Sequence, residues 1–169
     1  MIALVASIAL ALLPQHSHAA AAQTRAAVPS RAVLVQGESL GGLRLGSTPA
    51  QVRSLWGTDY QLCDGCPTPT WFYWVRDTTV GAGVKFNRSG RVVAVFTLGS
   101  PFGWKTREGL PVGAGLDRAV DIYDWKGFHV CRGYAAMSTT GSDVVTSIYI
   151  HGEIVYGFAL TALGEAVCQ

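Results

Sequence analysis

Charge is scarce in this sequence. Only 14% of its 169 residues are Asp, Glu, Lys or Arg, and the 13 Lys and Arg are scattered singly. That excludes the basic stripe with interleaved aromatics of a nucleic-acid binder and the polybasic cluster that holds an anionic membrane surface. Phosphate loops are missing as well: "GAG" at 81–83 and again at 113–115 lacks both the Lys-Ser/Thr ending and the G-x-G-x-x-G spacing. Long hydrophobic runs are also wanting. Ile2–Leu13 ("IALVASIALALL") is a run of 12 residues, apolar but for Ser7, whereas a bilayer span needs about 20.

That run has the form of an export signal. Pro14 ends it, and small residues from Ala19 to Ala22 offer A-x-A-like cleavage sites. The reading is a signal peptide over 1–22, with a retained N-terminal anchor as the rival, since no Lys or Arg precedes the run. No Cys follows the run where a lipoprotein would carry one, which excludes acylation there. The expected location is secreted or on the cell-envelope exterior, with no stable membrane insertion once the leader is removed. The remaining chain of about 147 residues fits one domain or two small ones. Its four cysteines, Cys63, Cys66, Cys131 and Cys168, point to two disulfides in an exported protein.

Residues 23–37 show no sustained period and read as a flexible N-terminal segment. Beyond them the chain repeats itself. "GLRLG" at 42–46 returns as "GLPVG" at 109–113, Leu55-Trp56 returns as Ile122-Tyr123, and "GRVVAVFTL" at 90–98 lines up with "GEIVYGFAL" at 152–160. Three pieces in one order predict two tandem units, 38–102 and 103–169.

The first unit opens on a helix: Thr48 caps, Pro49 takes the first turn, Gln51 completes a T-x-x-Q box, and Val52, Leu55 and Trp56 share a face before Gly57. Strands follow at 71–75, 83–87 and 92–98, and in the second unit at 128–136, 144–150 and 154–160. The expected fold class is α+β, each unit a short helical segment packed on one face of an antiparallel β-meander. Pairing Cys63 with Cys66 and Cys131 with Cys168 is preferred among the three connectivities because each bridge then closes within its own unit.

Motifs for chemistry are weak. "GESLG" at 37–41 matches G-x-S-x-G around Ser39, but a nucleophile elbow needs a strand of a large sheet before it and a helix directly after it. Only His129 and His151 remain as triad partners once the leader is removed. The residues Gly37, Gly41 and Gly42 read instead as a bend. "CDGC" at 63–66 follows a helix rather than starting one, and no second Cys pair stands at zinc spacing. Asp117, Asp121 and Asp124 read as a solvated face. No metal or cofactor is expected.

At "LRLGSTPAQVRSLWG" the chain resembles the G-M-T-x-x-Q-V-x-x-x-x-G motif of the β-lactamase inhibitor protein and BamE (SmpA/OmlA) superfamily, through Gly46, Thr48, Gln51, Val52 and Gly57, with Ser47 in place of Met. The resemblance implies tandem units of helices and four-stranded sheets over most of residues 38–163, and a Cys shortly after the helix, as at Cys63 and Cys131. Motif and composition together lead to a secreted, non-enzymatic module that binds another protein, inhibitor-like or envelope-associated. The alternative is a small secreted serine hydrolase using Ser39. Alternation places Val92, Ala94, Phe96, Leu98, Ile154, Tyr156, Phe158 and Leu160 toward the helices. The opposite face, floored by Val93, Val95, Thr97, Val155, Gly157 and Ala159, is then the candidate interface, with Trp74, Tyr149 and His151 contributing.

The protein without its leader is expected to weigh about 4 Da less than its reduced form, two hydrogens for each bridge. Iodoacetamide labelling of unreduced, unfolded protein would refute the bridges, whereas a Cys63–Cys131 peptide would refute the pairing alone.

Overall fold

The structure, a computed structural model, describes residues 28–74, 81–99 and 103–169, without the side chain of Trp74. The expected leader and residues 23–27 lie outside the described residues. In chain order the first elements are β1 (Val33–Val35), β2 (Ser39–Leu40), α1 (Pro49–Trp56), β3 (Gln61–Leu62), β4 (Thr70–Trp74), β5 (Gly81–Phe86) and β6 (Val92–Leu98). Then come β7 (Lys105–Thr106), α2 (Leu116–Ile122), β8 (Gly127–Val130), β9 (Ala135–Thr140), β10 (Val144–His151) and β11 (Ile154–Ala162).

The architecture is α+β. Eight strands form one antiparallel sheet in the order β3-β4-β5-β6-β11-β10-β9-β8, and β2-β1-β7 form a small second sheet. Both helices face the same side. Val52 and Trp56 of α1 and Ala119 of α2 share a core with Trp71, Tyr73, Val84, Val95, Ile148, Phe158 and Leu160 from the sheet.

Local chemistry sets α1. The Gln51 amide donates to Thr48 Oγ1 at 3.3 Å and the Thr48 amide to Gln51 Oε1 at 2.7 Å, with Pro49 in the first turn, so two otherwise unpaired amides are satisfied reciprocally. Gly57, at φ 84°, ends the helix. Leu55 departs from the expected buried face and is 46% exposed. α2 has no side-chain cap, and Asp117 in its first turn complements the helix dipole instead.

The segments entering the helices are tied to the sheet. Ahead of α1, the Gly46 amide donates to Val92 O (2.8 Å) and the Val92 amide to Ser47 O (3.0 Å). Ahead of α2, the Gly113 amide donates to Val155 O (2.8 Å) and the Val155 amide to Ala114 O (2.7 Å).

Three expectations need correction. Val33–Val35, inside the segment read as flexible, is a strand whose Leu34 is 1% exposed; three residues are too few for a period to register. Residues 128–136, read as one strand, form the β8–β9 hairpin, which turns through Gly133 at φ 85°. The faces of the last strands are also only half right. The β5–β6 register shifts between Lys85 and Phe86, and the β10–β11 register between Tyr149 and Ile150. Each bulge inserts one residue and so inverts the alternation beyond it. Phe158 and Leu160 do face the helices, with Val92, Val95 and Val155, while Phe96, Leu98 and Tyr156 pack on the other side.

The bend at Gly37, Gly41 and Gly42 is present, all three at positive φ. Trp56 Nε1 donates to Gly41 O at 2.9 Å, and the Trp56 and Trp104 rings meet edge to face at 5.5 Å. A Cβ on Gly41 would lie 2.5 Å from Trp104 Cη2, whereas one on Gly37 meets nothing within 4 Å. Both disulfides form as preferred, Cys63–Cys66 and Cys131–Cys168.

Gly37→Ala is therefore expected to cost only the left-handed penalty of roughly 1–2 kcal/mol. Gly41→Ala should cost clearly more, because the indole has no room to yield. Phe158→Ala, at a fully buried site, should cost about 3–5 kcal/mol. Denaturant unfolding of the three variants checks the order, and equal losses for the two glycines would contradict the packing at Gly41.

Candidate functional site

The sheet's distal face, turned away from the helices, is where the sequence placed the interface. One row of paired residues crosses it: Phe72, Gly83, Phe96, Ala159, Ser147, Ser138 and Gly127. Its first half is aromatic. Gly83 leaves room for the Phe96 ring, since a Cβ there would lie 2.2 Å from Phe96 Cζ, and Phe72 meets that ring edge-on at 5.8 Å. The second half is built of small and hydroxyl side chains. Gly157 and Ala159 do floor it, as expected. Val95 and Val155 do not, because the bulges turn them inward.

A neighbouring row runs Thr70, Lys85, Ala94, Thr161 and Val145. Lys85 is half-buried, and burial lowers its pKa while Glu165 partly restores it. Leu98, also half-buried, packs near Phe96.

After β11 the chain turns back across the distal face. The Leu163 amide donates to Asp143 O and the Glu165 amide to Ala162 O, both at 3.0 Å. Tyr149 Oη donates to Val167 O at 2.7 Å, and Tyr134 Oη donates to Gln169 O and accepts from the Gln169 amide, each at 2.8 Å. Val167 packs against the cluster of Phe96, Ala136, Tyr149 and Ala159. Cys168, bonded to Cys131, fixes the far end. Residues 163–169 thus form a strap over the half of the face that the sequence reading left open.

This corrects the place of Tyr149. It lies on the distal face but is 0% exposed, so it supports the strap and offers no surface. Burial raises the pKa of Tyr149 well above the ordinary value, with a smaller contribution from Tyr134, and burial raises that of Tyr134 too. His151 is exposed; its Nδ1 donates to Gly133 O at 2.7 Å, and its ring lies 5.5 Å from that of Tyr156. The backbone of Trp74 pairs with Gly81, and its side chain lies outside the described part. Two hydroxyls on the strapped half, Ser147 Oγ and Thr161 Oγ1, are buried without a hydrogen-bond partner. The strap was the element missed, although a Cys131–Cys168 bridge already required the chain after β11 to return to the β8–β9 turn.

The motifs for chemistry stay apart. Ser39 sits in a two-residue strand that leads into the Gly41-Gly42 bend, with no helix directly behind it. Neither histidine bonds to it: His129 Nε2 lies 3.0 Å from Ser138 Oγ, and His151 is held by Gly133. The cysteines of "CDGC" are joined to each other. Asp117, Asp121 and Asp124 are exposed, as read.

No family model matches the chain, and no curated protein matches it. Among solved structures, it is similar to an extracellular protein containing an SCP domain from Bacillus anthracis str. Ames, with a TM-score of 0.52 and 12% identity, over 69% of this chain and 43% of that one. The chain thus spans less than half the length of that protein. At this identity the likeness is one of fold.

The buried tyrosines make stability depend on alkali. Their protonated form is favoured in the fold, so their contribution is complete below the ordinary tyrosine pKa of about 10. Above it the unfolded chain releases protons that the fold retains, and stability falls as pH rises. Denaturant midpoints measured from about pH 9 to about pH 11 should decline, with a shallower decline for Tyr149→Phe. A flat profile for the parent chain would contradict the burial of Tyr149.

Proposed function

We propose that this chain is a secreted, non-enzymatic module that binds another protein, built of two tandem units of the β-lactamase-inhibitor and BamE kind. The observation that carries the reading is the twinned bonding. Gly46 and Ser47 hold Val92 before α1 in the same donor and acceptor pattern by which Gly113 and Ala114 hold Val155 before α2. Each helix is then followed by four antiparallel strands, and the last strand of each set carries a bulge just after the held valine. The twin bonds shift the correspondence by one residue from the sequence alignment, matching Phe96 with Ala159 rather than with Phe158. That shift accounts for two aligned phenylalanines facing opposite ways.

Export is supported by the two disulfides and by the extracellular character of the structural neighbour. Among the described residues no helix is long and apolar enough to cross a membrane. The docking surface in this reading is the first half of the distal face, with Phe72, Lys85 and Leu98, and with Trp74 and exposed His151 as further contacts. An aromatic and aliphatic patch around a partly desolvated cation suits a protein partner that presents an acidic residue.

The test compares captures from the medium and surface of the native cells. A protein held by the parent chain should be lost with Leu98→Asp and with Lys85→Glu, both variants keeping cooperative melting. A capture that both variants retain would remove the face assignment. A serine-directed fluorophosphonate should leave Ser39 unlabelled; covalent labelling there would replace the binding module with the hydrolase.

A further inference from the structure

The strap is held in an unusual way. Its hydrogen bonds from Tyr149 and Tyr134 go to the backbone of Val167 and Gln169, so they would accept any extended chain. Val167 packs into the distal cluster, and the Glu165 carboxylate acts electrostatically on the partly buried Lys85. Beneath, Ser147 and Thr161 are fully buried, yet their hydroxyl oxygens have no partner. Buried unpaired hydroxyls cost free energy, and a segment whose sole purpose was to seal a core would be expected to lie on apolar residues. Hydroxyls lacking a partner under a segment held by its backbone are the marks of a peptide groove.

We propose that the second half of the distal face is a groove for an extended peptide, occupied in cis by residues 164–169 and opened when a dithiol reduces the Cys131–Cys168 bond. One thiolate of the reductant attacks a cysteine sulfur to give a mixed disulfide. Its second thiolate then displaces that sulfur, leaving two cysteine thiols and an oxidised cyclic reductant. Two electrons and two protons pass to the protein. The peptide that fits carries an acidic residue for Lys85 and, two positions on, a small aliphatic residue for the Val167 site. The groove shares Lys85, at its border, with the docking surface proposed above but does not rest on that reading: a lost capture with Leu98→Asp tests the docking surface alone, and peptide binding to the strap variant tests the groove alone.

The probe is a fluorescein-labelled peptide of residues 164–169 with Cys168→Ser, added to the full-length protein and followed by anisotropy. Oxidised protein should bind it at least about tenfold more weakly than the full-length Val167→Asp/Cys168→Ser variant, in which the strap is dislodged, because a tethered strap competes at high effective concentration. Dithiothreitol should move the parent toward the variant, and Cys63→Ser/Cys66→Ser should respond to it in the same way. A Glu165→Lys peptide should bind more weakly, and Lys85→Glu in the protein should restore that binding. Equal binding by the oxidised parent and a folded strap variant, or no saturable binding by either, overturns the proposal. If the strap variant fails to fold, Cys131→Ser/Cys168→Ser takes its place, and binding no tighter than that of the oxidised parent overturns the proposal as well.

Discussion

The structure depends on the pairing of β6 with β11. Phe96 opposite Ala159, Val95 opposite Leu160 and Ala94 opposite Thr161 are the pairs that join two four-stranded meanders into one sheet. Both apolar clusters run through this seam, Val95 and Leu160 on the helix side, Phe96 and Ala159 on the distal side. The approach is close: a Cβ on Gly157 would lie 2.0 Å from Thr97 O, and the Phe158 amide donates to buried Thr97 Oγ1 at 3.0 Å. A seam between strands far apart in sequence forms only after long loops have closed. The distal face therefore exists as one surface only once the whole chain has folded.

The elements that local chemistry decides were legible in the sequence. The cap at Thr48, the stop at Gly57 and the period-2 strands at 92–98, 144–150 and 154–160 rest on interactions within a few residues, and each stands where the sequence placed it. Which side a residue faces was less legible. A single bulge in β6 and another in β11 invert the alternation, and nothing in "GRVVAVFTL" or "GEIVYGFAL" marks them, because each extra residue, Val93 and Tyr156, is itself a good strand former. The tie of each strand to the loop before its helix explains the bulge physically. Val92 and Val155 each use a backbone amide to hold that loop, and the ladder steps aside by one residue there.

The candidate site was legible by face and not by exposure. Alternation put Tyr149 on the distal side correctly, but burial depends on what crosses that side, and the crossing segment follows β11 in the chain and owes its path to a disulfide. His151 escapes the same fate because it sits beyond the strap at the β10–β11 turn, where Gly152 reverses the chain. The two residues lie two positions apart on one strand. One became a support for the strap and the other stayed at the surface.

The closed strap rests on a near balance. Favouring closure over the hydroxyl floor are the three hydrogen bonds that Tyr149 and Tyr134 make with the backbone of Val167 and Gln169, at about 0.5–1.5 kcal/mol each, and the partial burial of Val167, worth at most about 1.5–3 kcal/mol. Against it stand two buried hydroxyls without partners, at about 1–3 kcal/mol each. The two sides are of similar size, so non-covalent contacts alone leave the strap only marginally closed. The Cys131–Cys168 bond changes that by removing the open alternatives: with Ala162 fixed in β11 and Cys168 tied to the β8–β9 turn, the strap cannot leave the face without breaking a covalent link. A strap stabilised mainly by apolar burial would stay down whatever the state of its disulfide. The hydroxyl floor makes the covalent bond the deciding term.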